Sequence, residues 1–250
     1  MSEAKFVTVE DGVLKVVDDT KKGPEEVLHS EVMYYRFMDY FYTQTKHLDQ
    51  LTPEGVSNLC RARAKYPSLI SKTNVEVRSL FKALAKTINP ATLLEIGAGR
   101  NPVFEDEPPT KMHYVLSDAD NEVVVFHSEN NSECYAFSGE ICNLPSREDY
   151  FEMVIAVFVL HFPFHKNQLV ELYKRLSSSG VIIANVYRRS TEARESLISE
   201  ITETGFKIKK IVDSAKLCRD HEYWILGKSY AQLENCAIIL KKLINQPQRL

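Results

Sequence analysis

A carboxylate and two glycines stand close together in the segment ATLLEIGAGRNP, residues 91–102. Glu95 is followed by Gly97, Ala98 and Gly99 at the end of a short apolar run that is typical of a buried strand. Glycine accepts positive φ and allows the backbone to approach a ligand closely. A strand, a glycine-rich turn and a helix N-terminus together form the nucleotide-binding crevice of many α/β sheets. The segment therefore predicts a nucleotide site, with an ordinary tight turn as the alternative.

The residues after this turn narrow the class of ligand. A dinucleotide fingerprint would place a third glycine at Pro102. Asn101 and Pro102 instead predict the start of a helix, which Pro108 and Pro109 would end. Three carboxylates follow Pro102, and they would repel a pyrophosphate but tolerate a ligand with a cationic centre: Glu105, Asp106 and Glu107.

A second carboxylate follows the next predicted strand. Residues 113–117, HYVLS, end at Asp118, which lies 21 positions after Gly97. A carboxylate at the end of the second strand of such a unit accepts hydrogen bonds from ribose hydroxyls. Asp120 is the competing candidate, and a loop-capping role is the alternative for Asp118. The pair of turn and carboxylate predicts an adenosine site.

A histidine ends the most apolar stretch of the chain. Residues 151–162, FEMVIAVFVLHF, predict a central parallel strand that is buried on both faces, with His161 at its carboxyl end. His161 is the best candidate to remove a proton if the reaction requires it, and a structural hydrogen bond is the alternative. His165 is separated from it by Pro163, so we expect no metal site there.

The composition excludes several classes. The chain has 250 residues, 44% of them hydrophobic and 26% charged, with a net charge of −3 and a pI of about 6.2. No global basic field favours nucleic acid, and the longest uncharged apolar run is far too short to span a membrane. Five cysteines without a CxxC pair indicate free thiols in a reducing cytoplasm. We therefore expect a cytoplasmic protein with neither DNA nor membrane as a partner.

The N-terminal region contains an unusual aromatic stretch. Residues 30–50 predict a helix that begins at Ser30 and carries aromatic side chains almost all round. Such a helix either packs on the main domain or closes over a ligand as a lid, because tyrosine rings exclude water while their hydroxyls bond. On the second interpretation, Tyr35 is a catalytic candidate and three residues are substrate-binding candidates: Tyr34, Arg36 and Tyr42.

The order of the predicted elements defines an architecture. Residues 1–73 are expected to form an N-terminal helical and aromatic cap and lid, which includes a small hairpin around Asp11 and Gly12. Residues 74–250 alternate strands with helices, and these include helices at 169–179, 191–204 and 230–244. The pattern predicts an α/β fold with a doubly wound, mostly parallel, seven-stranded sheet.

These motifs together resemble the class I, Rossmann-like S-adenosylmethionine-dependent methyltransferases of small-molecule type. LLEIGAGRNP resembles the first motif of that family, and YVLSDAD resembles the second. SGEICNLPSREDYFEMVIAVFVLHF is similar to a stretch that is common among small-molecule members, and RLSSSGVIIANVY resembles the segment that forms strand five. ETGFKIKKI and HEYWILGKS resemble the closing strand pair, so the resemblance covers about residues 74–230.

The resemblance implies S-adenosylmethionine as cofactor and a role for each matching residue. Glu95 would hold the amino group, the glycine turn would face the methionyl part, and Asp118 would bind the ribose. Glu140 would read the adenine amino group, and Val157 would line the wall beside the reacting methyl group. The full implied set is Glu95, Gly97, Ala98, Gly99, Asp118, Ala119, Glu140, Ile141 and Val157.

The implied activity is in-line methyl transfer to oxygen or nitrogen of a small-molecule acceptor. The absence of an NPPY-like sequence argues against DNA methylation. Aminocarboxypropyl transfer, cleavage of the cofactor and a non-catalytic methyltransferase-like partner subunit are the alternatives. Basic groups such as Arg188 and Arg189 also leave a protein or RNA substrate open, and the sequence does not define an oligomeric state.

Overall fold

The computed structural model describes residues 5–18, 23–37, 40–69, 72–106, 111–213 and 221–245. The chain divides into two compact units, Met1–Val75 and Glu76–Leu250. Among the described helices, none combines the length and the apolar character that a membrane crossing requires.

The first unit contains a five-stranded antiparallel sheet with the order β1-β2-β5-β4-β3. Its strands are β1 (Phe6–Glu10), β2 (Val13–Val16), β3 (Glu26–His29), β4 (Val32–Phe37) and β5 (Phe41–Thr43). The predicted N-terminal hairpin is confirmed, and Gly12 takes a φ of +68° in its turn. Aromatic side chains from β4 and β5 pack with Leu14 and Val16 in the core of this unit.

The predicted aromatic helix over residues 30–50 is wrong, and the N-terminal region consists mainly of strands. Ser30 and Glu31 have φ values of 50° and 65° and join β3 to β4, with His29 paired to Val32. Two successive residues with positive φ make the tight two-residue turn of a β-hairpin rather than a helix N-cap. Aromatic residues also favour strands, where they pack on a half-buried pleated surface. The one described helical turn in this stretch is a 3₁₀ turn at Leu48–Gln50.

Two helices follow strand β5 along the chain. Helix α1 spans Pro53–Ala64, and the Thr52 hydroxyl accepts a hydrogen bond from Gly55 N at 3.1 Å. Helix α2 spans Lys72–Ile88. Its buried side chains recur with helical periodicity at Val77, Leu80, Phe81 and Leu84.

The second unit is an α/β fold with a seven-stranded sheet of order β8-β7-β6-β9-β10-β12-β11. Strand β12 is antiparallel to both of its neighbours, and the other pairs are parallel, so the predicted fold class is confirmed for this unit. The strands are β6 (Thr92–Ile96), β7 (His113–Asp118), β8 (Cys134–Ala136), β9 (Phe151–Ala156), β10 (Leu176–Val186), β11 (Lys207–Val212) and β12 (Glu222–Gly227).

Helices cover both faces of this sheet. The remaining helices are α3 (Asn121–Glu129), α4 (Lys166–Arg175), α5 (Thr191–Glu203) and α6 (Tyr230–Asn245). Trp224 packs in the core cluster that includes side chains of α4 and α5, whereas the Tyr223 ring meets Phe81 of α2 at 6.2 Å. Because successive strand residues point to opposite faces, α2 lies on the other side of the sheet from α4 and α5.

Three predictions for individual elements of this unit are wrong. Residues 101–106 form turns instead of the predicted helix. The predicted end of that helix, at Pro108 and Pro109, lies outside the described residues. The helix predicted at 169–179 ends at Arg175, because Leu176 already pairs with Phe151 in the sheet. The central strand ends at Ala156, so His161 lies in the following turn rather than at the end of the strand.

Candidate functional site

The glycine turn after β6 has the predicted left-handed backbone. Gly97 and Gly99 have φ values of +64° and +59°, and Ala98 N donates to Ser117 O at 3.1 Å. A Cβ on Gly97 would lie 2.6 Å from Val159 Cγ2, whereas a Cβ on Gly99 would meet nothing within 4 Å. Packing therefore requires glycine at position 97, and Gly99 borders open space that a ligand can occupy.

Asp118, at the carboxyl end of β7, is joined directly to that turn. Its Oδ2 accepts a hydrogen bond from Gly99 N at 2.9 Å, and its Oδ1 accepts one from Asp120 N at 2.9 Å. Burial raises the pKa of this carboxyl, and the two N–H donors oppose that effect. Each oxygen keeps further acceptor capacity, so the partly exposed carboxylate can still receive two vicinal hydroxyls.

Glu95 lies beneath the turn and is only 1% exposed. Its carboxylate accepts hydrogen bonds from Val103 N at 2.9 Å and from the Tyr114 hydroxyl. Burial raises its pKa to about 7, and the positive charge of Arg78 partly opposes this. In the structure Glu95 braces the segment that follows the glycine turn.

Of the residues that the resemblance places around adenine, Ala119 directly follows Asp118, and Glu140 and Ile141 lie in the loop after β8. Phe137 N donates to Asp118 O at 2.8 Å, which ties the loop after β8 to the end of β7. Ala119 is exposed and Ile141 is 47% exposed, so both offer apolar surface to a ligand. Glu140 is also exposed, and its backbone N donates to Ser138 Oγ at 3.2 Å.

A cluster of aromatic rings follows β9. His161 is buried, and its ring centroid lies 4.1 Å from that of Phe162 and 4.6 Å from that of Tyr187. Val157 is buried at the start of the same turn. Phe158 takes a φ of +59°, a conformation that is uncommon for a bulky residue. These buried and largely aromatic side chains form an aromatic wall at the carboxyl end of the central strand.

Four polar or aromatic residues that the sequence analysis did not select lie at the same edge. Asn185 Oδ1 accepts a hydrogen bond from Phe158 N at 2.7 Å and holds the unusual backbone. Tyr187 follows β10, and Asp213 and His221 flank the facing ends of β11 and β12. The available signal was their position directly at or beyond the carboxyl edge of adjacent strands, where α/β sheets bind ligands.

Two of the N-terminal candidates are engaged within the first unit. The Tyr42 hydroxyl donates to Pro24 O at 2.8 Å, and the Tyr42 ring is fully buried. Arg36 forms an ion pair with Glu25 of the same unit.

The other two N-terminal tyrosines lie on β4. The Tyr34 hydroxyl accepts a hydrogen bond from Gln44 Nε2 at 3.1 Å. The Tyr35 ring lies under the Lys46 ammonium, with 5.7 Å between Nζ and the ring centroid. Their predicted roles toward a substrate stay predictions.

Comparisons with known proteins place the fold. The citrinin polyketide synthase CMeT domain matches 71% of this chain with a TM-score of 0.50 and 12% identity, and this chain spans 57% of that protein's length. A second match is a TehB-like SAM-dependent methyltransferase from Corynebacterium glutamicum ATCC 13032 Kitasato. It covers 71% of this chain and 100% of that protein's length, with a TM-score of 0.48 and 11% identity. The match to the plantazolicin methyltransferase BpumL, solved with SAH, covers 74% of this chain and 95% of that protein, with a TM-score of 0.48 and 13% identity.

No family model and no curated protein matches the chain. The expected resemblance to the class I S-adenosylmethionine-dependent methyltransferases is confirmed at the level of the fold.

Proposed function

We propose that the protein is an S-adenosylmethionine-dependent methyltransferase that acts on a small-molecule acceptor. The observation that carries this proposal is the hydrogen bond between Gly99 N and Asp118 Oδ2, 2.9 Å long, at the carboxyl ends of β6 and β7. In an α/β sheet the crevice beyond these strand ends is where nucleoside ligands bind. The seven-stranded topology is that of the methyltransferase fold.

The residues present fit this cofactor. Gly99 borders open space for the methionyl part, and Asp118 has acceptor capacity for ribose hydroxyls. Ala119 and Ile141 expose apolar surface for adenine, beside Glu140. When bound, S-adenosylmethionine supplies an electrophilic methyl group on a cationic sulfur.

The chain's own residues then have to align the acceptor and exclude water. A reaction of this type gains most from correct orientation of the two reacting atoms in a dry site. Val157 and His161 are buried in the turn after β9, and Phe158 is held there by Asn185. These residues would form the wall beside the reacting centre.

A small molecule is the acceptor that the chain's properties favour. A net charge of −3 gives no general attraction to nucleic acid, and no NPPY-like sequence follows the central strand. Glu105 and Asp106 are exposed in the turns after Gly99 and suit a cationic ligand better than a phosphate.

The test is to incubate the protein with S-adenosylmethionine and a panel of small alcohols, phenols, amines and thiols, and to identify the products by mass. Release of S-adenosylhomocysteine with a methylated acceptor supports the proposal. Methylthioadenosine would indicate aminocarboxypropyl transfer or cofactor cleavage instead. Failure to bind the cofactor would support the third alternative, a non-catalytic partner subunit.

A further inference from the structure

A buried histidine and aspartate face each other at the carboxyl edge of the sheet. Asp213 follows β11, His221 precedes β12, and Asp213 N donates to His221 O at 3.0 Å, which extends the strand pairing by one rung. The same two residues are joined through their side chains, since His221 Nδ1 lies 2.8 Å from Asp213 Oδ2. The side chains are 0% and 1% exposed, so this pair is enclosed within the fold.

Aromatic rings connect this pair to the candidate site. The His221 ring centroid lies 4.7 Å from that of Tyr223 and 6.4 Å from that of Tyr187. Tyr187 in turn contacts His161 at 4.6 Å between ring centroids. The pair is therefore continuous with the aromatic wall after β9.

The hydrogen bond to Asp213 fixes what His221 can do chemically. An ionised carboxylate only accepts hydrogen bonds, so Nδ1 carries the proton. In the neutral imidazole Nε2 is then an acceptor, and a carboxylate behind Nδ1 stabilises the imidazolium that forms when Nε2 takes a proton. Within the described part of the chain, His221 Nε2 is buried and has no hydrogen-bond partner. Because a buried acceptor without a hydrogen bond is unfavourable, a ligand group that donates to Nε2 gains binding free energy there.

We propose that His221, oriented by Asp213, is the general base of the reaction and that the acceptor reacts through a hydroxyl group. This inference rests on the proposed methyltransferase function. The proton passes from the hydroxyl oxygen to His221 Nε2, and the oxygen electron pair forms the bond to the methyl carbon. The methyl–sulfur bond breaks, and its electron pair stays on sulfur, which becomes a neutral thioether. Atoms and charges balance without any further reactant.

A hydroxyl fits this site better than an amine. Beside the aromatic rings around His221, a neutral hydroxyl is buried at a lower desolvation cost than an ammonium group. A hydroxyl is also a weak nucleophile until its proton is removed. An imidazole that is hydrogen-bonded to a carboxylate can act as the general base that removes this proton.

The test compares His221→Asn and Asp213→Asn with His113→Asn as a matched control. His113 Nε2 also pairs with a carboxylate, Glu133, at 2.6 Å, but it lies at the opposite end of the sheet, at the start of β7. The probes are phenol and 4-nitrophenol, the second of which is largely ionised in solution above neutral pH. We expect kcat with phenol to fall about 100-fold or more in the two site variants and by much less with 4-nitrophenol. His113→Asn should leave both rates unchanged.

Two further readouts do not depend on turnover. When 4-nitrophenol is added to the wild-type protein without cofactor, its absorbance should show a larger phenolate fraction than in buffer. With His221→Asn, the increase in phenolate fraction over buffer should be smaller. Nitrogen NMR of histidine-labelled wild-type protein should show one buried imidazole with the proton on Nδ1, which needs no variant to fold.

Each outcome decides between the two claims. A wild-type protein that binds no S-adenosylmethionine contradicts the proposed function. A wild type that binds it overturns the present inference if it methylates only amines or thiols, or none of the hydroxyl probes. Equal losses with both phenols, or a proton on Nε2 of His221, would also overturn it.

Discussion

Gly99 and Asp118 are joined by a hydrogen bond from the backbone N–H of the first to Oδ2 of the second, 2.9 Å long. The bond links the turn after β6 to the end of β7, two neighbouring parallel strands. Because it uses one acceptor position of one oxygen, the carboxylate is oriented by the turn and remains able to bind a ligand. The proposed nucleoside end of the candidate site rests on this hydrogen bond.

The two glycines of the turn should respond differently to alanine. Gly97→Ala introduces a Cβ 2.6 Å from Val159 Cγ2, so we expect a loss of stability larger than the roughly 1–2 kcal/mol that left-handed backbone alone costs. Gly99→Ala meets nothing within 4 Å, so its stability loss should stay within that range. Urea unfolding of both variants measures the difference.

The same two variants should rank in the opposite order for S-adenosylmethionine binding: Gly99→Ala should lose more affinity than Gly97→Ala. At Gly99 the added methyl group enters the space that the ligand would occupy. The free energy of binding should therefore fall more than the free energy of unfolding. The double variant Gly97→Ala with Val159→Ala serves as the control, because it removes the steric contact but not the backbone strain. Equal affinity for wild type and Gly99→Ala would show that the ligand does not approach this turn.

Glu95 should make stability depend on pH in a defined direction. Its pKa is about 7 in the folded protein against an ordinary value of 4.5, so the folded state binds more protons between these values. Stability should therefore fall as pH rises through this window, by about 3 kcal/mol in total, and the penalty is absent below it. Glu95→Gln, which carries no charge, should lack this dependence.

The measurement is urea unfolding of wild type and Glu95→Gln at about pH 5 and about pH 8. Other titrating groups are common to both proteins, so the change in the difference isolates Glu95. We expect the variant to gain relative stability at the higher pH. Parallel curves at the two pH values would mean that burial does not raise the pKa of Glu95.

Asn185→Ala tests what holds the backbone of Phe158. The variant removes the acceptor of a buried hydrogen bond, 2.7 Å long, and leaves the Phe158 N–H unsatisfied. We expect a loss of roughly 1–3 kcal/mol in the free energy of unfolding. The control is Asn130→Ala, in which an exposed asparagine side chain loses its bond to Phe126 O and stability should change by less than about 0.5 kcal/mol. Equal effects in the two variants would remove Asn185 from this role.

Much of the second unit could be predicted because its strands leave strong local signals. Strands buried on both faces read as apolar runs, as in β6 and β9, and the glycines at 97 and 99 mark the turn that follows. Asp118 could be placed because its distance from the turn is set by one strand–crossover–strand unit. These features depend on residues that are near one another in the chain.

The features that the sequence did not reveal depend on non-local pairing or on weak turn signals. Asp213 and His221 meet because the register of β11 and β12 brings them opposite each other, which no local pattern specifies. Phe158 takes its positive φ through a hydrogen bond to a residue on another strand. The turn at Ser30 and Glu31 lacks the glycine or asparagine that is typical of a two-residue hairpin, so the sequence predicts a helix for the aromatic segment after it.

The most direct test of the central claim is calorimetric titration of S-adenosylmethionine into wild type, Asp118→Ala and Asp120→Asn. Asp120→Asn removes a neighbouring charge but retains an acceptor for the α3 N-cap, so it controls for electrostatics alone. We predict binding to wild type and to Asp120→Asn, and about 100-fold weaker binding to Asp118→Ala, as expected for lost bonds to a charged group. Absence of binding to the wild type, or equal binding to all three proteins, would contradict the assignment of this site.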